Sequence, residues 1–367
     1  MPFPKIDTNE LKRGGVTVVA AVVMAGGLAA CGSTSDSDYV LHYSTYSNAT
    51  SDQSKTVQRW AEDVERLTDG GVTVEFHYSE SLVGASESVA ATLDGRVDLA
   101  QVGSLYAASD LAMYTASELP FESMNPEAHL RTINRMYREN ETFRADFDRQ
   151  GVRLLFPLPI GNATLGSASP VRTLEDIEGR SIRSGGLLSE VMVAADVNPV
   201  SMGATDVYES MQRGIISGYT SLGMSNLPTF GLSDSTPHIV DPGVGAYASS
   251  IVVVNEDLFQ EMPEEYQNAL LESGERAIGY GLDELDILGM LACEQLRESG
   301  ADFAALPADE MEALRTKTGA AEQWVARNQE RGYDAQSVLD DYRAFIAEES
   351  AKSEYVDALP RCIQEAQ

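Results

Sequence analysis

Basic residues are scarce in this chain of 367 residues, and lysine is the scarcest. The 26 Lys and Arg residues stand against 57 Asp and Glu residues, which gives a formal net charge of −31. The five lysines are Lys5, Lys12, Lys55, Lys317 and Lys352. An acidic surface of this kind repels phosphate-rich polymers, so the composition argues against nucleic acids and anionic membrane surfaces as partners. High external salt and biased genome composition both account for the lack of lysine, and the sequence does not separate them.

Motifs for catalysis are missing from the sequence. It has 4 histidines, none at metal-ligand spacing: His42, His77, His129 and His238. It has no HExxH, no GxSxG and no P-loop. Pairs of carboxylates abound, but in so acidic a chain they indicate a solvated surface. The sequence therefore predicts a protein that is not an enzyme and that uses no cofactor and no metal.

Cysteine is also rare, and the first of the 3 cysteines ends an apolar leader. Lys12 and Arg13 precede an apolar run at residues 16–28, which is too short and glycine-rich for a membrane span and is typical of a signal peptide. The run closes in LAAC at residues 28–31, which resembles the bacterial lipobox. We predict a signal peptide at 1–30, lipidation of Cys31 and a polar tether at 31–38; the alternative is an ordinary signal peptide followed by a chance cysteine.

The two remaining cysteines, Cys293 and Cys362, form an even pair in a chain with an export signal. In exported proteins such pairs are most often disulfide-bonded. The alternative is two buried thiols.

Past the tether, strands and helices alternate. The patterns predict strands at 39–46, 72–78 and 97–102, with helices at 51–67 and 86–93 between them. This βαβαβ order implies parallel strands joined by helical crossovers. Further helices are predicted at 128–147, 187–195, 206–211, 311–327 and 335–348, strands at 152–156, 181–183, 215–219 and 248–254, and a long helix at 263–299.

These elements predict a two-lobed α/β fold of the periplasmic-binding-protein type, with mixed sheets flanked by helices and one long helix spanning both lobes. Lobe I is assigned residues 39–160 and 248–285. Lobe II is assigned residues 161–247 and 286–350, and residues 351–367 are a C-terminal tail.

The stretch from 169 to 195 is the strongest candidate for a binding site. Arg183 ends a short strand, Gly185 and Gly186 follow, and a helix begins next. Glycines let backbone N–H groups approach a ligand, and the guanidinium fork suits a carboxylate. The alternative is a solvated or salt-bridged arginine beside an ordinary glycine turn.

Ligands of open α/β sheets bind beyond the carboxyl ends of strands. Polar residues follow the strand ends at four further places. These candidates are Tyr46 and Asn48, Gln101 and Tyr106, Asn162 and Thr164, and Tyr219 and Ser221. For each tyrosine, packing in the core or at the lip of a pocket is at least as good an explanation as contact with a ligand.

Segments along the chain resemble solute-binding proteins of TRAP (tripartite ATP-independent) transporters. The main one is RTLEDIEGRSIR at 172–183. Others are RWAEDVERLTDGGVTVEF at 59–76, SLVG at 81–84, DGRVDL at 94–99, ELPF at 118–121 and MPEE at 262–265. Each motif is weak alone, but their order and spacing cover nearly the whole chain after the leader.

The resemblance implies that Arg183 is the anchor for the substrate carboxylate. It also implies a small organic acid as ligand, membrane permease subunits as partners, and a location outside the cytoplasmic membrane, with the membrane contacted only through the lipid anchor. Relatives often carry a second arginine near Asn162, an asparagine where Ser221 stands and an aromatic residue close to Ala204. Their replacement here favours a monocarboxylate with a bulkier tail.

The predicted function is thus capture of an organic acid between two lobes and its delivery to a TRAP-type permease. Three alternatives remain: a binding protein for another transporter type, a ligand-sensing receptor subunit, and an exported hydrolase, which the lack of a nucleophile and base argues against.

Overall fold

Two separate β-sheets organise the computed structural model, which describes residues 37–366. The first sheet has five strands in the order β2-β1-β3-β10-β4, and the second has six in the order β11-β9-β5-β8-β6-β7. The strands are β1 (Tyr39–Ser44), β2 (Val72–His77), β3 (Leu99–Gly103), β4 (Val152–Leu158), β5 (Leu165–Ser167), β6 (Ser181–Arg183), β7 (Asn198–Val200), β8 (Gly218–Tyr219), β9 (His238–Asp241), β10 (Ser250–Asn255) and β11 (Asp302–Ala305).

Helices cover both sheets. They are α1 (Asp52–Leu67), α2 (Ser88–Leu93), α3 (Pro126–Glu139), α4 (Glu141–Arg149), α5 (Leu188–Ala194), α6 (Val207–Gln212), α7 (Asn226–Thr229), α8 (Glu256–Glu261), α9 (Glu264–Glu298), α10 (Ala308–Thr318), α11 (Ala320–Glu330), α12 (Ala335–Ser350) and α13 (Ala358–Ala366). Within residues 37–366, no helix combines the length and the apolar character that crossing a membrane requires.

The first sheet and its helices form lobe I. β1 pairs in parallel with β2 and β3, as the βαβαβ pattern predicted, and β10 runs antiparallel between β3 and β4. α1 starts at Ser51, whose side chain accepts a hydrogen bond from the backbone N–H of Ser54. Its apolar stripe, including Trp60 and Val64, is buried against this lobe.

The second sheet and its helices form lobe II. β6 lies between β7 and β8 in parallel, whereas β5 is antiparallel to β8 and β9. The turn before β6 is fixed locally, because the carboxylate of Asp176 accepts hydrogen bonds from the backbone N–H groups of Arg172 and Thr173. This arrangement delivers Arg183 to the carboxyl end of β6, at the edge of the sheet that faces lobe I.

Two of the chain segments that connect the lobes run side by side, at 159–164 and 242–249. Asn162 and Ala246 pair there in an isolated antiparallel bridge. The backbone N–H of Ala163 donates to the carbonyl of Gly245 at 2.9 Å. The connections are therefore held to each other by backbone hydrogen bonds.

The predicted long helix is present as α9, with 35 residues. At about 1.5 Å per residue it extends roughly 50 Å. In its first half, the carbonyl of Leu270 accepts a hydrogen bond from the indole of Trp60 in lobe I at 3.2 Å. In its second half, Leu296 is buried with Ile239 of lobe II. One helix therefore packs on both lobes.

Two helices that the sequence predicted as continuous are divided in the structure. Residues 128–147 belong to α3 and α4, because Asn140 has an extended backbone and its side chain caps α4 by accepting from the N–H of Phe143 at 2.8 Å. Residues 311–327 belong to α10 and α11, because Gly319 has a φ of 54°. A capping asparagine and a left-handed glycine each end one helix and start the next.

The C-terminal part of the chain, from residue 286, differs from the predicted division into lobes. The sequence assigned residues 286–350 to lobe II, but Trp324 and Tyr342 of α11 and α12 are buried in lobe I with Leu154 of β4. The apolar stripe of a helix shows that it packs, but not on which sheet. Residues 351–367 were predicted as a tail, yet α13 is buried in lobe II with the second half of α9.

Cys293 of α9 and Cys362 of α13 form a disulfide, with their Cα atoms 5.7 Å apart. Both residues are buried, with 1% and 0% of their surface exposed. The bond fastens the last helix to the long helix. The predicted signal peptide at 1–30 and Cys31 lie outside the described residues.

Candidate functional site

A cavity lies between the lobes, with an empty volume of about 510 Å³ including its mouth. Lobe I contributes Tyr46, Ser47, Ser51, Asp52, Gln53, Leu105 and Tyr106. Lobe II contributes Arg183, Ala204, Ser221, Leu222, Asn226, Thr229 and Phe230. The connecting segments add Ile160 and Tyr247. A concave site with apolar walls and a few polar groups is the usual form of a small-molecule site.

Arg183 is the basic side chain of this cavity, and it is 2% exposed. Its terminal nitrogen Nη1 donates to the carbonyls of Thr220 at 3.0 Å and Ser221 at 2.6 Å. Its Nε and Nη2 both reach the carbonyl of Met202 at 3.4 Å, which is long for a hydrogen bond. The backbone of lobe II thus fixes the guanidinium plane while leaving the Nε and Nη2 side weakly bonded.

The charge of Arg183 has no carboxylate partner among the described residues, and burial lowers its pKa. A buried charge without a counter-charge is costly, and proteins ordinarily pair such a group. Its backbone carbonyl partners supply dipoles but no net negative charge. The site is therefore electrostatically suited to an anion.

Aromatic side chains line the same cavity as the guanidinium. The rings of Tyr46 and Tyr106 meet edge to face, with centroids 5.4 Å apart. The hydroxyl of Tyr46 is hydrogen-bonded to that of Ser250 at 2.5 Å. Tyr247 is 1% exposed, and burial raises its pKa well above the ordinary value, so it is a neutral phenol. Together with Phe230 these rings give the cavity broad apolar walls with hydroxyls at a few points.

Asp52 is a second buried charge of the cavity, and sequence reasoning did not identify it as a site residue. It is 0% exposed, and burial raises its pKa to about 6. Its Oδ2 accepts a hydrogen bond from the hydroxyl of Ser225 at 2.7 Å, which joins lobe I to lobe II. Because Asp52 is also the first residue of α1, the sequence pattern explains it fully as a helix-start residue.

Glu118 forms another contact between the lobes. Its Oε2 accepts from the backbone N–H of Leu187, just before α5, at 3.1 Å. Gly186 makes this approach possible, since a Cβ there would lie 2.1 Å from that oxygen, and its φ is +57°. With Asp52 and Ser225, these contacts hold the lobes together across the cavity.

Of the predicted ligand-binding residues, four line the cavity: Arg183, Tyr46, Tyr106 and Ser221. Gly185 and Gly186 lie beside the cavity. The N–H of Gly185 donates to the hydroxyl of Ser221 at 3.1 Å, and the N–H of Leu187 donates to Glu118. Two of the backbone donors expected to face a ligand, the N–H groups of Gly185 and Leu187, are thus bonded within the protein.

The other predicted residues do not line this cavity. Gln101 is buried behind it and hydrogen-bonds to Thr45 and to Gln53, which does line it. Asn162 donates to the carbonyl of Met124 at 3.1 Å in the connection between the lobes. Thr164 is fully buried, and Asn48 accepts hydrogen bonds from Thr50.

Tyr219 also lies away from the cavity. It is buried among residues of lobe II that include Leu296 of α9, and its hydroxyl is 3.0 Å from that of Thr236. Successive side chains of a strand point to opposite faces. The side chain of Tyr219 uses the face covered by α9, so its position at the end of β8 does not bring it to the cavity.

Glu118 should make stability depend on pH. Burial raises its pKa to about 7 from an ordinary 4.5. Between these two pH values the folded protein keeps a proton that the unfolded chain has lost. The contribution of protonated Glu118 to the free energy of unfolding is therefore full below about pH 4.5 and is lost as the pH rises through about 7. In the wild type the free energy of unfolding should fall between about pH 5 and pH 8. In Glu118→Gln we expect this fall to be smaller by roughly 1–3 kcal/mol.

Urea unfolding at the two pH values measures this slope. Glu330→Gln, at the exposed end of α11, is the matched control and should keep the wild-type slope. An unchanged slope in Glu118→Gln contradicts the assignment.

Comparison with known proteins identifies the family. Residues 43–328 match the family described as bacterial extracellular solute-binding protein, family 7. The ectoine-binding periplasmic protein TeaA of Halomonas elongata is 22% identical over 225 residues, which cover 59% of this chain and 63% of TeaA. The chain thus aligns with less than two thirds of the length of that relative. The ectoine/5-hydroxyectoine-binding protein UehA of Ruegeria pomeroyi is 23% identical over 280 residues, or 72% of this chain and 79% of UehA.

Solved structures share the fold. A TRAP solute-binding protein from Rhodoferax ferrireducens, in complex with copurified benzoate, has a TM-score of 0.77 at 19% identity and covers 85% of this chain and 99% of its own. A TRAP periplasmic solute-binding protein from Bordetella bronchiseptica, with bound (R)- and (S)-mandelate, has a TM-score of 0.74 at 23% identity and covers 84% and 99%. The two-lobed fold and the resemblance that the motifs indicated are both confirmed, and since the family match extends over most of the sequence, the chain belongs to the bacterial extracellular solute-binding proteins of family 7.

Proposed function

We propose that this protein binds an organic monocarboxylate with an aromatic or apolar body between its lobes and delivers it to a TRAP-type membrane permease. The observation that carries the proposal is Arg183, a buried guanidinium on the cavity wall with no carboxylate partner among the described residues. A bound carboxylate supplies the missing counter-charge.

The hydrogen bonds of Arg183 indicate which donors meet the ligand. Both hydrogens of Nη1 are used by the carbonyls of Thr220 and Ser221. Nε and Nη2 share one distant carbonyl, that of Met202, so two long bonds and one unused N–H remain on that side. These are the donors for an incoming carboxylate, and charge-assisted bonds of this kind are strong where water is excluded.

The other walls of the cavity favour a single carboxylate on an apolar body. Arg183 is the only basic side chain among the described residues that line the cavity, whereas Asp52 on the opposite lobe disfavours a second negative charge. Tyr46, Tyr106 and Phe230 offer ring faces and edges. Benzoate and mandelate, which occupy two of the structurally similar proteins, have this combination of one carboxylate and one ring.

Ligand identification tests the proposal directly. Mass spectrometry of small molecules released from gently purified protein should reveal a monocarboxylic acid. Calorimetry with benzoate, mandelate and succinate should rank the aromatic monocarboxylates above succinate by about tenfold or more, since a second carboxylate has no cationic partner. Tighter binding of succinate, or retention of an uncharged ligand, contradicts the proposal.

We further propose that the protein is held outside the cytoplasmic membrane by lipidated Cys31, with residues 31–38 as tether. The support is the LAAC sequence at 28–31 after an apolar run. The intact mass of the membrane-extracted protein should show an N-terminus at Cys31 carrying acyl chains, and Cys31→Ser should release the protein from the membrane fraction. An unmodified N-terminus at another residue rules out the anchor.

A further inference from the structure

We propose that His42, Glu75 and His77 form a surface site for a divalent transition-metal ion, with zinc as the representative ion. The site lies on lobe I and is independent of Arg183 and the cavity. Two of the 4 histidines of the chain meet there, although they are 35 residues apart and show no metal-binding spacing in sequence.

The pairing of β1 with β2 creates the site. In this parallel ladder His42 is the partner of Glu75, and Ser44 is the partner of His77. Glu75 and His77 are two residues apart on β2, so their side chains share one face of the sheet. The residue paired with Glu75, His42, presents its side chain to the same face. The three ligands therefore come from the register of two strands, and β2 is an edge strand.

The distances match a metal centre. His42 Nδ1 lies 3.1 Å from His77 Nε2. The carboxylate of Glu75 is 3.8 Å from His42 Nδ1 through Oε2 and 3.9 Å from His77 Nε2 through Oε1. Around a tetrahedral zinc ion with bonds of about 2.1 Å, ligand atoms are about 3.4 Å apart. Small side-chain rotations thus turn the observed triangle into a coordination set.

A histidine–histidine hydrogen bond alone accounts for the 3.1 Å contact, and the carboxylate of Glu75, within 4 Å of both rings, adds a third ligand atom. Two imidazoles and a carboxylate form a common ligand set for zinc, copper or nickel, whereas magnesium and calcium prefer oxygen ligands alone. The chain's formal charge of −31 also raises the local concentration of cations.

The ligands are accessible and the variants should fold. The side chains of His42, Glu75 and His77 are 46%, 57% and 24% exposed. Three protein ligands leave at least one coordination position to water, so we expect exchangeable binding. The ion bridges β1 and the edge strand β2, so binding should also raise the unfolding temperature of the whole protein.

Calorimetric titration of the full chain, without an affinity tag, with zinc chloride tests the proposal. We expect one ion per chain, with affinity lowered at least about tenfold by His42→Ala and by His77→Ala, because even loss of an outer-shell partner typically costs 10–100-fold. His238→Ala is the matched control, since His238 contacts Asp302 in lobe II, and it should bind zinc as the wild type does. Magnesium should give no comparable signal.

The double variant His42→Ala/His77→Ala separates this site from diffuse binding to an acidic surface. Wild-type zinc affinity in that variant, or no stoichiometric binding by the wild type, overturns the proposal. Loss of binding together with an unchanged circular dichroism spectrum supports it.

Discussion

Replacing Arg183 with alanine should weaken binding of the organic acid by about 30-fold or more. Removing one partner of a buried, hydrogen-bonded charge pair typically costs roughly 2–5 kcal/mol, largely because the other charge is left buried and unpaired. At about 1.4 kcal/mol per decade, the lower end of that range already gives the stated factor. In this cavity no other basic side chain among the lining residues can replace the guanidinium.

Two further variants sharpen the result. Arg183→Lys should recover only part of the affinity, because a point charge does not reproduce the planar fork that the carbonyls of Thr220 and Ser221 hold in place. Arg180, three residues earlier, does not line the cavity, and Arg180→Ala should bind normally. Calorimetry with the identified acid decides, and binding by Arg183→Ala within threefold of wild type would falsify the anchor role.

Among the variants proposed for this protein, removal of the disulfide should lower the free energy of unfolding the most. We expect Cys293→Ala/Cys362→Ala to lower the free energy of unfolding by about 2–5 kcal/mol, because the bond closes a loop of 69 residues in the unfolded chain. Both positions are buried between α9 and α13, so lost packing adds to the effect. Urea unfolding under oxidising conditions measures the difference.

Reduction of the wild type is the matched comparison, since it breaks the same bond without changing the side-chain volume. The reduced wild type should unfold at a lower urea concentration than the oxidised protein, and the double variant should not respond to reductant. Equal midpoints for the oxidised wild type and the double variant would mean that the bond does not stabilise the fold.

Sequence reasoning reached the fold because its signals are local and repeated. The alternation from 39 to 102, the long helical pattern that became α9 and each of the family-like motifs depend on neighbouring residues. Its errors are also local: Asn140 and Gly319 end helices whose apolar patterns continue through the break. The assignment of α11 and α12 failed because amphipathicity does not specify which sheet a helix covers.

The site was only partly accessible from sequence, because a cavity between lobes is made by tertiary contacts. Arg183 and Tyr46 were predicted as site residues because they stand at strand ends, where ligands of α/β sheets bind. Tyr219 is also at a strand end, but its side chain occupies the other face. Asp52 and Tyr247 were not predicted as site residues, because a helix-start aspartate and a loop tyrosine have no distinguishing sequence pattern. His42 and His77 became neighbours only through the register of β1 and β2.

The placement of α11 and α12 on lobe I has a consequence for when the protein can fold. The indole of Trp324 donates to Thr115 across 209 residues of sequence, and Tyr342 contacts His129 across 213. Lobe I therefore cannot complete its core until nearly the whole chain is available, although its first strand is among the earliest segments made. Long-range contacts of this kind slow folding, and a chain truncated before α12 leaves apolar core surface uncovered and prone to aggregation.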